Sequence, residues 1–276
     1  MTSLSSTSAK RRAFRQMHES GCFSLPNPWD IGSALFLQSL GFKALATSSA
    51  GFAWSQGRAD GALTREQVLA HLKELVLATS LPINADFENG FAPDPEGVTE
   101  SVRLAVETGI AGLSIEDASG QASNPIFDID TAVRRLRAAR AAIDQAGGET
   151  LLVGRAENFI TGRPDLPDTI ARLKAYAEAG ADCLYAPGIR TREQISAVVT
   201  AVAPKPVNVL VGWPSEFTLD ALAGLGVRRV SVGGALARSA WGGLLRAAKS
   251  LAEGRFDEFS EAASGQQLNA LFNQQR

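Results

Sequence analysis

Cysteine, histidine, methionine and tyrosine each occur only twice in the 276 residues. Two cysteines, Cys22 and Cys183, cannot build a disulfide scaffold or a zinc cluster. In their apolar surroundings they read as buried thiols of a reducing compartment, the cytoplasm. His18 and His71 fall in helical patterns and read as helix-surface residues. That argues against a Ser-His-Asp hydrolase and against a His-ligated metal. No apolar run reaches the roughly 18 residues that a membrane helix needs. An excess of one charge is missing as well: 27 Lys and Arg stand against 29 Asp and Glu, for a net charge of −2. Neither a nucleic-acid partner nor a membrane partner is expected. The chemistry then falls to carboxylates, hydroxyls, arginine or a carboxylate-bound metal.

What is present is an alternation of short apolar runs with helical patterns. Residues 1–9, rich in Ser and Thr, read as a disordered tail. Residues 10–276 read as one domain, opening with a short helix from Lys10 to Glu19. Eight short apolar strands are expected, ending near Leu25, Thr47, Ala85, Ile115, Gly154, Tyr185, Val211 and Val232. Helices follow them, with Thr64 and Gln67 spaced as a capping box and Gly41, Gly109, Gly180 and Gly226 as closing residues. Short, wholly apolar strands are what a parallel sheet covered on both faces requires. Eight strand-helix units in this length predict an α/β fold, a (β/α)8 TIM-type barrel with extra C-terminal helices at about 235–252 and 256–272. A doubly wound dinucleotide fold loses its main support, because no G-x-G-x-x-G follows the first strand.

In such barrels the chemistry sits at the C-terminal strand ends. Those ends carry Asn27 and Asp30, Ser48 and Ser49, Asp86 and Glu88, Glu116 and Asp117, Arg155 and Glu157, Tyr185, Trp213, and Gly233-Gly234. Neighbouring strands would crowd Asp86, Glu88 and Glu116, and like charges that close require a cation or a proton. Oxygen donors select a hard ion such as Mg²⁺ or Mn²⁺. The bland readings are a loop capping the next helix for Asp86 and Glu88, and an exposed turn for Glu116. Arg155 suits a substrate carboxylate, or else a salt bridge to Glu116 or Glu157 that balances the acidic cluster. Ser48-Ser49-Ala50-Gly51 offers consecutive backbone N–H groups to an anionic oxygen, or a tight turn. Gly233-Gly234 reads as a turn needing positive φ. The stretch from Ala50 to Leu63 is long and glycine-rich, which suits a lid; the alternative is a fixed surface loop with Trp54 packed on the next helix.

Taken together, these strings resemble the isocitrate lyase/phosphoenolpyruvate mutase superfamily over about residues 20–250. Asn27-Pro-Trp-Asp30 resembles its first-strand N-x-x-D segment. Gly41 to Ser49 resembles its second strand, and Asp60 falls where the family has a gating-loop acid. Asp86-Phe-Glu88-Asn-Gly90 resembles its metal segment, Glu116-Asp117 its strand-four pair, and Arg155-Ala-Glu157 its strand-five R-x-E/D. The resemblance implies a Mg²⁺-dependent enzyme acting through an enolate on a small carboxylate, a 2-oxo acid or a 2-hydroxy acid that yields one. It implies Asp86 as inner ligand, Glu88 and Glu116 reaching the metal through water, and Ser48, Ser49 and Ala50 holding the oxo-carboxylate. Arg155 would bind the substrate carboxylate or enolate oxygen, and Asp60 would complete the closed site. A homodimer or homotetramer exchanging a C-terminal helix is implied too.

The segment after strand four departs from the family, and Ala186-Pro187 replaces the polar residue often found after strand six. Lyase members carry K-x-C-G-H after strand four, whereas Ala118 to Asp128 contains no Lys, Cys or His. Of the mutase members' Lys and Asn, only Asn124 has a counterpart. A C–C bond lyase is the leading expectation. The alternatives are mutase-like or oxaloacetate-hydrolase-like activity, and a non-catalytic metabolite-binding member.

Overall fold

The computed structural model describes residues 6–273. In chain order the strands are β1 (Phe23–Leu25), β2 (Leu45–Ala46), β3 (Ile83–Asp86), β4 (Gly112–Glu116), β5 (Ala118–Gln121), β6 (Asn124–Ile126), β7 (Leu151–Arg155), β8 (Cys183–Tyr185), β9 (Val207–Leu210) and β10 (Arg229–Ser231). Strands β5 and β6 form a separate antiparallel hairpin. The other eight form one parallel sheet in the order β1-β10-β9-β8-β7-β4-β3-β2. Its two edges approach each other: Ala46 N–H donates to Pro26 O at 3.0 Å. The Asn27 amide spans the same seam, donating to Thr47 O and accepting from the N–H groups of Val232 and Gly233, all at 2.9 Å. The result is a nearly closed, TIM-like barrel, as the strand count predicts.

Helices α2 (Ile31–Ser39), α3 (Ser49–Ser55), α4 (Arg65–Ala78), α5 (Pro95–Glu107), α6 (Ile129–Gln145), α7 (Leu166–Glu178), α8 (Arg192–Val202) and α9 (Leu219–Gly224) follow the strands. The core between barrel and helices is made from the outward residues of the strands, such as Ile83, Ala85, Leu113, Ile115, Leu152 and Leu184. The Thr64–Gln67 capping box forms as expected. Asp128 caps α6, accepting from Thr131 N at 2.8 Å.

The N-terminal helix α1 (Thr7–Met17) starts three residues before Lys10, because Ser6 Oγ caps it through Ala9 N–H. Residues 6–9 are therefore a cap and a helical turn, not a tail; residues 1–5 lie outside the described residues. This helix closes the bottom of the barrel. Lys10 Nζ donates to Thr79 O at 2.6 Å, and Arg11 Nε and Nη2 donate to Ile110 O and Val106 O at 2.9 and 2.8 Å. Those carbonyls lie at the ends of α4 and α5, where cations are favoured. Phe14 enters the barrel from below and packs with Leu25, Ala44 and Leu151. A Cβ on Gly112 would stand 2.9 Å from the Phe14 ring and 2.8 Å from Asn84 Oδ1, so only glycine lets all three share the floor.

Four further expectations change. Both histidines are buried, not on the surface: His18 packs edge-on to Phe14 and Phe23, and His71 stacks on Phe52. Cys183 is buried, while Cys22 is only half-buried. Residues 49–55 of the expected long loop form α3. After α10 (Ala235–Ala252), the helix expected at 256–272 divides into a 3₁₀ turn, Asp257–Glu261, and α11 (Gly265–Asn273). Ser264 Oγ accepts from Gln267 N at 3.2 Å and so starts a new helix there.

Candidate active site

The strand register sets the site. Asp86 pairs with Ser114, Glu116 with Arg155, and Arg155 with Tyr185, which brings the polar ends of β3, β4, β7 and β8 side by side. Asp86, Ser114, Arg155 and Tyr185 border a cavity of about 160 Å³ at the C-terminal mouth, walled also by Ser48, Ser49, Ala50 and Asp60. Ligand pockets for drug-sized molecules run to ~300–1,000 Å³, so this cavity suits a small metabolite.

Arg155 organises the carboxylates. Its Nη1 lies 3.2 Å from Asp86 Oδ1 and 3.1 Å from Glu116 Oε2. Its Nε and Nη2 grip both oxygens of Glu157 at 2.5 and 3.1 Å. Its face lies over the Tyr185 ring, 5.3 Å from the centroid. The guanidinium is thus engaged on three sides by protein carboxylates, and the salt-bridge reading from sequence is the arrangement found. Burial pushes the Glu116 and Glu157 carboxyls above the usual range, with Arg155 opposing it.

The residues expected to hold metal differ in placement. Asp86 faces the cavity; its N–H is held by Thr47 Oγ1 at 2.8 Å and its Oδ2 accepts from Ser49 N–H at 3.1 Å. Glu88 sits beside it at φ +47°, a strained backbone for a non-glycine residue. Its Oε1 is buried without a hydrogen-bond partner. Burial, then Asp86 and Asp60, push its carboxyl up to about 7. Glu116 is drawn to Arg155 instead of to the cavity. Among the described residues, no three His, Cys, Asp or Glu side chains form a closed metal cage. The donor set nevertheless fits a hard divalent cation. Carboxylates outnumber the one arginine among them, Glu88 has an orphaned oxygen, and Mg²⁺ characteristically takes one or two carboxylates and keeps its waters.

The serine segment is more committed than expected. Ser48 is the N-cap of α3, its Oγ accepting from Gly51 N–H at 3.1 Å, and the Ser49 N–H is taken by Asp86. Ala50 walls the cavity. Asp60 stands exposed at the rim; partial desolvation and then Asp86 hold its carboxyl above the ordinary range. Asn124 is not brought to the site: it lies exposed on the hairpin, where its carbonyl accepts from Ser119 Oγ. Asp30 caps α2 in a capping box with Ser33. Gly233 takes φ +52°, the expected turn, and a Cβ on Gly234 would meet the Trp54 ring at 3.0 Å.

Sequence reasoning missed one group of cavity residues and the partners that hold Asp117. Asn84, Asn208, Arg229 and Ser231 line the cavity from inside the barrel. Their signal is a polar residue at alternate positions of strands that otherwise read as apolar runs. Behind Arg155, Asp117 Oδ1 accepts from Glu157 N–H at 2.8 Å, and its Oδ2 accepts from Arg172 Nη1 at 3.0 Å and Tyr176 Oη at 2.5 Å. Arg172 also donates to Phe127 O at 2.7 Å, tying the end of the hairpin to β7 through Asp117.

Residues 14–252 match the family model for phosphoenolpyruvate phosphomutase. The crystal structure of a "putative lyase/mutase" from Burkholderia cenocepacia J2315 is 48% identical and superposes with a TM-score of 0.94 over 97% of each chain. An uncharacterised protein of Mycobacterium tuberculosis (strain H37Rv) is 30% identical over 223 residues, 80% of this chain and 81% of its own. An oxaloacetate decarboxylase of Bradyrhizobium sp. (strain ORS 278) is 30% identical over 231 residues, 81% of this chain and 77% of its own. The order of strand-end residues, the barrel that assembles them and these likenesses agree: the chain belongs to the phosphoenolpyruvate mutase/isocitrate lyase superfamily of C–C lyases and mutases.

Proposed function

We propose that the protein is a Mg²⁺- or Mn²⁺-dependent enzyme that breaks a C–C bond in a small 2-oxo or 2-hydroxy acid through an enolate. The observation that carries this is Asp86, fixed by Thr47 and Ser49 at the wall of a small cavity, with Glu88, Asp60 and the Arg155-bound carboxylates around it. Asp86 would hold the ion directly, with Glu88, Glu116 and Asp60 reaching it through water. When bound, the ion supplies positive charge to a developing enolate oxygen. Arg155 keeps the carboxylates in place and, with Asp117 behind it, fixes the geometry of the mouth.

The hairpin bears on the reaction. It carries no Lys, Cys or His, so this segment offers no proton donor or base of the kind the family's lyases use. Decarboxylation of a 2-oxo diacid needs no base to begin. The C–C bond to the departing carboxylate breaks, its electron pair becomes the enolate, CO₂ leaves, and the carbon takes a proton from water. Oxaloacetate is therefore the first substrate to test, which agrees with the name of the Bradyrhizobium relative. Turnover of oxaloacetate, 2,3-dimethylmalate, 2-methylisocitrate and phosphonopyruvate with Mg²⁺ is measured by product release. Carbon–carbon cleavage of any of the first three, abolished in Asp86→Ala, is the expected result. Oxalate binding with no turnover of any of them would instead identify a metabolite-binding member, the reading that the hairpin's lack of acid/base side chains also favours.

A further inference from the structure

Two arginines border the cavity, and they differ in what neutralises them. Arg155 is surrounded by carboxylates. Arg229 is 2% exposed, and no carboxylate among the described residues lies within ion-pair distance of it. Its partners are neutral. Nε donates to Asn208 Oδ1 at 2.9 Å and Nη1 to Asn84 Oδ1 at 3.2 Å, while His18 Nε2 lies 3.4 Å from Nη1. His18 Nδ1 is 2.7 Å from Phe14 O, so the ring donates there and turns an uncharged Nε2 towards the arginine. Both amides are oriented by further bonds: Asn208 Nδ2 donates to Ser231 Oγ at 3.0 Å and Asn84 Nδ2 to Ala85 O at 3.1 Å.

The guanidinium therefore spans the barrel from β10 to β3 and forms the floor of the cavity. Arg229 and Asn84 each lie two residues below a wall residue, Ser231 and Asp86, which at ~3.3 Å per residue puts the floor about 7 Å beneath the mouth carboxylates. From below, Phe14 and His18 on and beside α1 close the barrel. A buried cation with hydrogen bonds but no counter-ion is unfavourable, and the cavity, which Arg229 lines, gives an anion an approach to it.

Resting on the reading of Asp86 as the anchor of a 2-oxo or 2-hydroxy acid head, we infer that Arg229, braced by Asn208 and Asn84, receives a second anionic group of the substrate. The substrate is then a small diacid and not a monoacid. A charge-assisted contact of this kind distinguishes the two by roughly ten- to a hundredfold in affinity.

The test is calorimetric, on the full chain with Mg²⁺, using malate and lactate, which share a 2-hydroxy acid head and differ by one carboxylate, and oxalate, which probes the head site alone. Asn208→Asp places a carboxylate against Arg229 Nε and neutralises the cation without removing it; Arg229→Met removes the charge. The expected result is malate bound at least tenfold more tightly than lactate by the native protein. That preference falls to within about twofold in both variants, with oxalate affinity unchanged and Asn208→Asp no less heat-stable than the native chain. A purely structural Arg229 would leave the preference intact in Asn208→Asp, and that outcome overturns the inference. So does a native protein that binds malate and lactate alike, or a parallel loss of oxalate and malate in the variants. If Arg229→Met does not fold, Asn208→Asp decides. Failure of native protein to bind oxalate would count against the head site, while the malate-to-lactate ratio still judges Arg229.

Discussion

Arg155 has a larger structural duty than its position at a site mouth implies. Removing it leaves Asp86, Glu116 and Glu157 facing one another with no cation among them, and truncating one partner of a buried ion pair costs about 3–5 kcal/mol. Arg155→Leu should lower unfolding free energy by an amount of that order in urea titrations, and added Mg²⁺ should recover part of it. A variant as stable as the native chain would show that the carboxylates are not held together by this guanidinium. His71 offers a separate, pH-linked experiment away from the site. It is buried, stacks on Phe52 at 3.7 Å and 5°, and burial depresses its pKa to about 4. A depressed imidazole binds fewer protons in the folded than in the unfolded chain between about pH 6.5 and 4. Stability is therefore complete above pH 6.5 and is lost as pH falls through that window, by up to about 3 kcal/mol for this residue. His71→Phe keeps the stack and removes the buried unpaired Nε2. It should flatten the acid limb of a stability-versus-pH curve without abolishing it, since His18, depressed to about 3, titrates the same way. An unchanged slope would place the acid sensitivity elsewhere.

At the scale of elements, the segment after β2 is a short helix anchored on two sides rather than a free loop. Phe52 stacks on His71 of α4, and the Trp54 ring lies against Gly234 at the start of α10. The alternative of a fixed loop with Trp54 on the next helix therefore has the partner wrong: it is Phe52 that meets α4. From Gln56 to Thr64 the chain is exposed at nearly every position and carries Asp60 on the cavity rim. Movement confined to this stretch would bring Asp60 over the site while α3 keeps Ser48 and Ser49 in place. Tryptic cleavage at Arg58 is expected to slow several-fold when Mg²⁺ and oxalate are added. Asp60→Ala should lower turnover at least tenfold with oxalate affinity within about twofold of native; normal turnover would exclude Asp60 from the chemistry.

These elements also show where sequence was informative. The β3, β4 and β7 ends were legible because charged residues at the end of a Val- or Ile-containing run have few other uses in a barrel. Helix α3 was hidden because Ser-Ser-Ala-Gly reads as turn, and its seven residues need the barrel mouth to hold them. The hairpin was hidden because Gly120 and Pro125 break any alternation, and its ends are tied down by distant residues, Asn89 at Ala118 and Arg172 at Phe127. Arg229 was missed because it stands at the start of a three-residue strand, where its alternation with Ser231 is the one sign that it points inward.

For the whole molecule, the unexplained feature is α10. Of its 18 residues only Ala237 and Ser250 are buried, while Trp241, Leu244 and Leu245 are 40%, 56% and 55% exposed. An α-helix that follows the last barrel strand normally buries one apolar face on the barrel. Here that face lies open beside Trp54, and the 3₁₀ turn beyond it adds Phe256 and Phe259, 66% and 48% exposed. Contiguous apolar surface of this kind marks an association site. The sequence reading gave the exchanged role to the last helix. Yet α11 lies against α2 of its own chain, with Phe272 3.7 Å from where a Cβ of Gly32 would stand, so α10 is the better candidate to cover a neighbouring barrel. A second copy is the occupant that family resemblance implies, and symmetric pairing would cover the face on both copies at once. Light scattering at micromolar concentration should therefore give a dimer or tetramer. The double variant Leu244→Glu with Leu245→Glu should shift the mass towards one chain while leaving the far-ultraviolet circular dichroism unchanged. A native chain that is monomeric throughout that range would mean that α10 folds back onto its own barrel in solution, and its apolar face would then have to be found buried by hydrogen exchange.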